Sequence, residues 1–129
     1  MSVIYNRGIR GATTVEHNDR EEIYAATEEL VAEMIERNSI DPETVSNVWI
    51  TVTHDLNAAF PAVAVRKRAG WDFVPLMCAL EVPVEGSLPH CIRLMIQVNT
   101  EKSQREIEHV YQRGATVLRP DLVRRPSSI

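Results

Sequence analysis

The sharpest pattern along the chain runs from Cys91 to Asn99, where Ile92, Leu94, Ile96 and Val98 alternate with Cys91, Arg93, Met95, Gln97 and Asn99. A period of two sends successive side chains to opposite faces, so the segment reads as a strand with one aliphatic and one semi-polar face. A different period governs the stretch before Asn38. Ile23, Ala26, Thr27, Leu30, Val31, Met34 and Ile35 recur every three or four residues and fall on one stripe of a helix. Asn18 or Asp19 can cap it, and Glu21 and Glu22 lie in its first turn, where free backbone N–H groups favour anions.

The remaining segments give weaker versions of the same signals. Val3 to Arg10 reads as a strand with Ile4 and Ile9 on opposite faces, ended by Gly8, Gly11 and the turn-prone Thr13-Thr14. Asp41-Pro42-Glu43 reads as a short capped turn with proline at the first helical position. In Val48 to Thr53 the β-prone residues Val48, Ile50 and Val52 share a face. After a loop at 54–57, Phe60-Pro61 opens a short helix from Ala62 to Arg68, stopped by Gly70. Phe73 to Glu81 is an apolar strand, and Pro75 inside it restricts it to an edge or a bulge. Ser103 to Glu106 matches a capping box and predicts a helix to about Arg113, closed by Gly114. Ala115 to Leu122 is apolar but broken by Arg119-Pro120, and residues 123–129 form a flexible tail.

The expected order is β α β α β β α plus tail: a single α/β (α+β) domain over residues 1–129, a mixed sheet of four or five strands with helices on one face. Three helices, one of them short, leave the second face of the sheet uncovered. Its semi-polar residues on strand 91–99 are expected to meet another subunit.

Composition narrows the function only by exclusion. A chain of 129 residues can bury about two thirds of its surface, so it needs neither disulfides nor metal to fold. Hydrophobic residues make up 44% and charged residues 25%, the proportions of an ordinary globular domain. The net charge of −4 argues against a broad cationic surface, hence no nucleic acid is expected as partner. Charged residues interrupt every apolar run before a membrane span is reached, and no secretory leader is read at the N-terminus, so the expected location is cytoplasmic. Neither the number nor the spacing of Cys78 and Cys91 suggests a disulfide framework or a zinc site.

Arg93 is the most informative single residue. A guanidinium centred in a strand whose other face is aliphatic must be paired or meet an anionic ligand. An ion pair between subunits and a ligand contact fit it equally well. Arg10, beside Gly11, repeats the signal more weakly. Glu81, at the end of an apolar strand, can pair with either arginine or accept a hydrogen bond from a substrate hydroxyl. Cys78 reads as a small buried hydrophobe, since nothing beside it would activate a thiolate. His17, His54, His90 and His109 show no metal-like spacing and receive no chemistry. The glycines around Ile9-Arg10 match no phosphate-binding loop, and no Ser-His-Asp order is evident. Arginines, one glutamate and Tyr111 suit binding of a multiply anionic small molecule, with no metal or cofactor.

The run Arg7-Gly8-Ile9-Arg10-Gly11-Ala12-Thr13-Thr14-Val15-Glu16 leads a series of short motifs. Phe60-Pro61-Ala62 with Arg66 and Gly70-Trp71, Cys78 with Glu81, Cys91-Ile92-Arg93, His109-Val110-Tyr111 and Val117-Leu118-Arg119-Pro120-Asp121-Leu122 follow in order. Together they resemble the monofunctional, trimeric class of chorismate mutase, from Arg7 to Leu122. The resemblance implies a homotrimer whose sheets pack into a pseudo-α/β-barrel, with active sites at the subunit interfaces. It implies the Claisen rearrangement of chorismate to prephenate, the branch step toward phenylalanine and tyrosine, without cofactor or metal. It further implies that Arg93 contacts the ether oxygen and a carboxylate, that Arg10 and Tyr111 bind carboxylate, and that Glu81 and Cys78 face the ring hydroxyl and the cleaving side. Met77, Cys78, Ala79 and Leu80 would line the pocket, and Phe60, Ala62, Arg66 and Leu118 would form its wall and mouth. Val63 and Met77 depart from the lysine and threonine expected of the family at those positions, which implies a less polar pocket edge.

The residue inventory suits that chemistry on physical grounds. A pericyclic rearrangement needs no nucleophile and no proton transfer. The protein has to hold the compact reactive conformer and meet negative charge growing on the ether oxygen, tasks for which forked, fixed cations are apt. Two other classes remain open at this level: a trimer of the same fold that binds or senses a small carboxylate without mutase activity, and a structural module in which Arg93 and Glu81 are only an ion pair.

Overall fold

The alternating segment around Arg93 becomes the middle of a five-stranded sheet in the computed structural model, which describes residues 2–122. In chain order the strands are β1 (Tyr5–Thr14), β2 (Val45–Val52), β3 (Leu76–Leu80), β4 (Cys91–Thr100) and β5 (Val110–Tyr111). Helix α1 spans Arg20–Asn38 and helix α2 spans Ala62–Arg66, with short 3₁₀ turns at Pro42–Thr44, Gln104–Glu106, Arg113–Val117 and Pro120–Leu122. The strands lie in the order β3-β2-β4-β1-β5. The central β4 is antiparallel to β1 and β2, whereas the edge strands β3 and β5 run parallel to their neighbours β2 and β1. The tail expected at 123–129 lies outside the described residues.

The aliphatic face of β4 makes the core. Ile92, Leu94, Ile96 and Val98 are buried with Ile9, Val48 and Ile50 of the flanking strands and with Ile23, Ala26, Leu30, Val31 and Met34 of α1. This is the stripe that the helical period predicts. Asp19 is the residue that caps α1, accepting the N–H of Glu22 at 3.0 Å. Asn18 instead accepts the N–H groups of Asn57 and Ala58, each at 3.0 Å, and ties the loop before α2 to the start of α1.

Two sequence expectations change. The first strand does not stop at its glycines but continues to Thr14, because those glycines serve close approach rather than turning. A side-chain carbon on Gly11 would land on the sulfur of Met34, and one on Gly8 would come within 2.9 Å of the Met95 sulfur. The helix expected from Ser103 to Arg113 is absent. Its capping box forms, yet helical structure lasts only over Gln104–Glu106. Buried Asn38 at the end of α1 donates to the carbonyl of Glu108 and accepts its N–H, both at 2.8 Å, drawing the chain alongside the sheet. Val110 and Tyr111 then pair with Gly11 and Ala12 as β5. A cap contributes about 1 kcal/mol, whereas burying a large apolar side chain contributes about 1.5–3 kcal/mol, so the strand wins.

Among the described residues no α-helix packs on the opposite face, where only the 3₁₀ turn Arg113–Val117 lies against Ala12 at the β1–β5 end. By strand alternation and register that face presents Asn6, Gly8, Arg10 and Ala12 of β1, Arg93, Met95, Gln97 and Asn99 of β4, Trp49 and Thr51 of β2, and Met77 and Ala79 of β3. Trp49 and Met77 stand directly opposite each other and are 43% and 57% exposed, a large apolar pair with nothing from the described residues over it.

Candidate active site

The register sets Ala79, Thr51, Arg93, Ala12 and Tyr111 in one row across all five strands. Arg93 is at the centre of that row. Glu81 follows directly after β3, where its N–H still donates to the carbonyl of Val52 at 2.9 Å. Its carboxylate turns back over the row, accepts the Thr51 hydroxyl and lies 3.3 Å from Arg93 Nε. That approach pairs the charges without an aligned hydrogen bond, since Arg93 Nε is buried with no hydrogen-bond partner among the described residues. The Tyr111 hydroxyl is likewise buried and has no partner among them. An unpaired buried donor costs about 1–3 kcal/mol, and an anionic ligand is the chemistry that recovers it.

Arg10 sits one residue pair along from Ala12, opposite Met95, and is half-buried. Its backbone N–H donates to His109 Nδ1 at 2.9 Å. The imidazole thereby extends the β1–β5 ladder by one bond beyond Val110. Burial, and then the cations Arg10 and Arg119, hold the His109 pKa below its ordinary 6.5, which keeps Nδ1 available as an acceptor at neutral pH. Leu118 and Leu88 pack on the small cluster of Ala12, Tyr111 and Ala115. Arg10, Glu81, Arg93, Tyr111 and Leu118 thus form one group on the uncovered side of the sheet and its rim.

A second group lies elsewhere. Cys78 and Leu80 pair with Ile50 and Val52 and therefore point to the helix side, away from the Arg93 row. They line a cavity of about 680 Å³ together with Phe60, Tyr24, Ala79 and Leu56. The sequence reading of Cys78 as a buried hydrophobe is corrected: its side chain is exposed, because β3 is an edge strand and only the loop before α2 and the start of α1 stand over it. Cys78 and Glu81 do not face a common space within one chain. Phe60 is 72% exposed at the rim, Arg66 is exposed on α2, Ala62 is buried beneath, and Met77 lies on the uncovered face.

Three supporting residues escaped the sequence. Thr51, which orients Glu81, was signalled by the alternation that places Val48, Ile50 and Val52 on the other face. His109 stood within a recognised motif but at no metal-like spacing. Asp55 had no local signal at all. Its carboxylate accepts the Thr53 hydroxyl at 2.5 Å and the His90 N–H at 3.0 Å, while Thr53 accepts the N–H of Cys91 at 3.0 Å. This fastens the end of the loop that joins Glu81 to β4, with His90 in a left-handed conformation (φ 49°). Burial pushes the Asp55 pKa up, but the bonds from Thr53 and His90 outweigh it and the pKa is lowered. Burial raises that of the Cys91 thiol, leaving it protonated and inert. Among the described residues no cluster of three or more His, Cys, Asp or Glu is placed to hold a metal ion, and no helix is long and apolar enough to cross a membrane.

Comparison with known proteins adds a family to this geometry. The family model of chorismate mutase type I matches residues 6–122. The chain is 49% identical over 116 residues to the chorismate mutase AroH of Bacillus subtilis (strain 168), covering 90% of this chain and 91% of that protein. It is 51% identical over 117 residues to the chorismate mutase AroH of Thermus thermophilus, covering 90% and 95% respectively. The solved structure of a chorismate mutase from Clostridium thermocellum superposes with a TM-score of 0.83 at 49% identity, over 86% of this chain and 98% of that one.

Proposed function

The chain belongs to the type I chorismate mutase family, an isomerase of aromatic amino acid biosynthesis, and we propose that Arg93, Glu81, Arg10 and Tyr111 carry its conversion of chorismate to prephenate. The single observation behind this assignment is the Arg93–Glu81 pair on a row that also holds the Tyr111 hydroxyl, buried without a partner among the described residues. Arg93, held from one side by Glu81, directs its remaining donors at the ether oxygen and a carboxylate. As the C–O bond lengthens ahead of C–C bond formation, negative charge grows on that oxygen and a fixed cation gains energy with it. Arg10 and Tyr111 bind carboxylate and select the compact conformer in which the reacting carbons meet. Glu81, oriented by Thr51, accepts the ring hydroxyl. No side chain exchanges a proton with substrate.

The second group completes the site from another copy of the chain. Cys78, Ala79, Leu80, Phe60 and Ala62 supply the apolar wall and Arg66 the mouth, Met77 lies on the opposite face of β3, and Leu118 closes the Arg93 side. The exposed Trp49–Met77 face supports an assembly in which three such sheets cover one another, with each site at an interface and the enzyme at work in the cytoplasm.

Incubating the purified protein with chorismate, without added metal or cofactor, tests the reaction directly. A mixing experiment tests the division of the site. Arg93→Ala and Phe60→Asp chains, each inactive alone, regain a fraction of turnover when unfolded and refolded together, because some interfaces then combine two intact groups. Recovery of none, with mixed assemblies formed, would place the whole site within one chain.

A further inference from the structure

Of the residues lining the cavity above Cys78, only Arg20 is charged. It stands at the first position of α1, four residues before Tyr24, so the two side chains share one side of the helix and both line the cavity. Lys67, just past the end of α2, holds its Nζ 5.3 Å from the centre of the Tyr24 ring. A cation over an aromatic face is attracted by the ring quadrupole. One cation therefore lines an otherwise uncharged cavity, and a second stands over a ring that lines it. Among the described residues the one ionic partner of Arg20 is its sequence neighbour Glu21 at 3.7 Å, and both side chains are largely exposed. So loose a pair leaves guanidinium donors free for another anion.

We infer that Arg20, which lines this cavity with Tyr24, and Lys67, which stands over the Tyr24 ring, form a cationic rim that captures the substrate dianion at its mouth. The inference rests on the assignment of Cys78, Leu80 and Phe60 to the substrate site. Its physical basis is the overall charge. A protein of net charge −4 repels a dicarboxylate at long range, so productive encounter depends on where its cations are concentrated. Residues at a rim act on encounter and binding, not on the bond-breaking step. The rim also supplies charge to a wall that is mostly apolar, with Val52, Leu56, Phe60 and Leu80 among its residues.

The double variant Arg20→Gln/Lys67→Gln tests this against wild type with chorismate at several ionic strengths. KM rises on the order of three- to tenfold while kcat stays within about twofold, and the fall of kcat/KM with added salt becomes shallower. Arg20→Lys retains most of the wild-type KM, since a point charge suffices for capture. An unchanged KM and salt slope in the double variant overturns the rim, as does a loss confined to kcat. The underlying assignment fails in a different way: wild type would not convert chorismate, or Phe60→Asp would leave turnover intact. If both behave as expected and the double variant is silent, the rim alone is wrong.

Discussion

Glu81 reaches to within 3.3 Å of the Arg93 guanidinium although the two residues flank different strands, because Thr51 of the intervening β2 stands directly opposite Arg93 and donates its hydroxyl to the same carboxylate. The arginine is therefore aimed by a carboxylate that is itself aimed by a hydroxyl. Such a chain of contacts fixes a cation at low reorganisation cost, which electrostatic stabilisation of a transition state requires.

Removal of that cation separates the catalytic from the purely structural account. Arg93→Ala lowers kcat on the order of a hundredfold or more, equivalent to about 3 kcal/mol, with a much smaller rise in KM. Steady-state kinetics with chorismate read this directly. Exchanging the two residues, Glu81→Arg with Arg93→Glu, preserves an ion pair and abolishes turnover. Retained activity in the exchange would reduce the pair to a structural role.

The pH dependences of turnover and of stability differ in their origins. No proton moves in the reaction, so kcat stays nearly flat across the neutral range, and a bell with two steep limbs would contradict the mechanism. Stability does respond, through His109. Its pKa in the fold lies below the ordinary 6.5, so between those two values the unfolded chain binds more protons than the folded one. The contribution is complete above the unfolded value and is lost as pH falls toward the folded one. Asp55, lowered from 3.8, adds a second loss as pH falls through the carboxylate range. Urea midpoints at pH 7.5 and 5.5 check the first window: wild type loses more between them than His109→Asn does.

Gly11 tests the packing that lets β1 run unbroken past α1. A methyl group there meets the Met34 sulfur, and Met34 has no exposed surface into which to retreat. Gly11→Ala therefore destabilises the protein by about 1–3 kcal/mol, read as a lowered Tm. Combined with Met34→Ala the loss is smaller than the sum of the two single changes, since the second change removes the clash.

The elements most legible in the sequence were those whose information is local and repeated. The stripe from Ile23 to Met34 and the alternation from Cys91 to Asn99 state their own periods many times over, and both form as read. Pro75 within a strand from Phe73 pointed to an edge or a bulge; β3 is an edge strand, but it begins at Leu76, after the proline. The position of Arg93 on the face away from the aliphatic residues was legible from the period of two, and of the partners the sequence left open the structure shows Glu81, at 3.3 Å. The helix after Ser103 was misread because its capping box is a local preference of a single turn. The bonds that overruled it come from Asn38 and from Gly11 and Ala12, far away in the chain.

Periods, caps, family motifs and candidate arginines are all set by residue types within a few positions of one another. Long-range contacts alone place Gly8 and Gly11 inside a strand and add Val110–Tyr111 at the edge of the sheet. That Cys78 and Glu81, three residues apart, face opposite sides follows from alternation along the chain, since an odd separation parts them. Which neighbours each side then meets depends on strand order and register, which are set by the summed burial of distant segments rather than by any one of them.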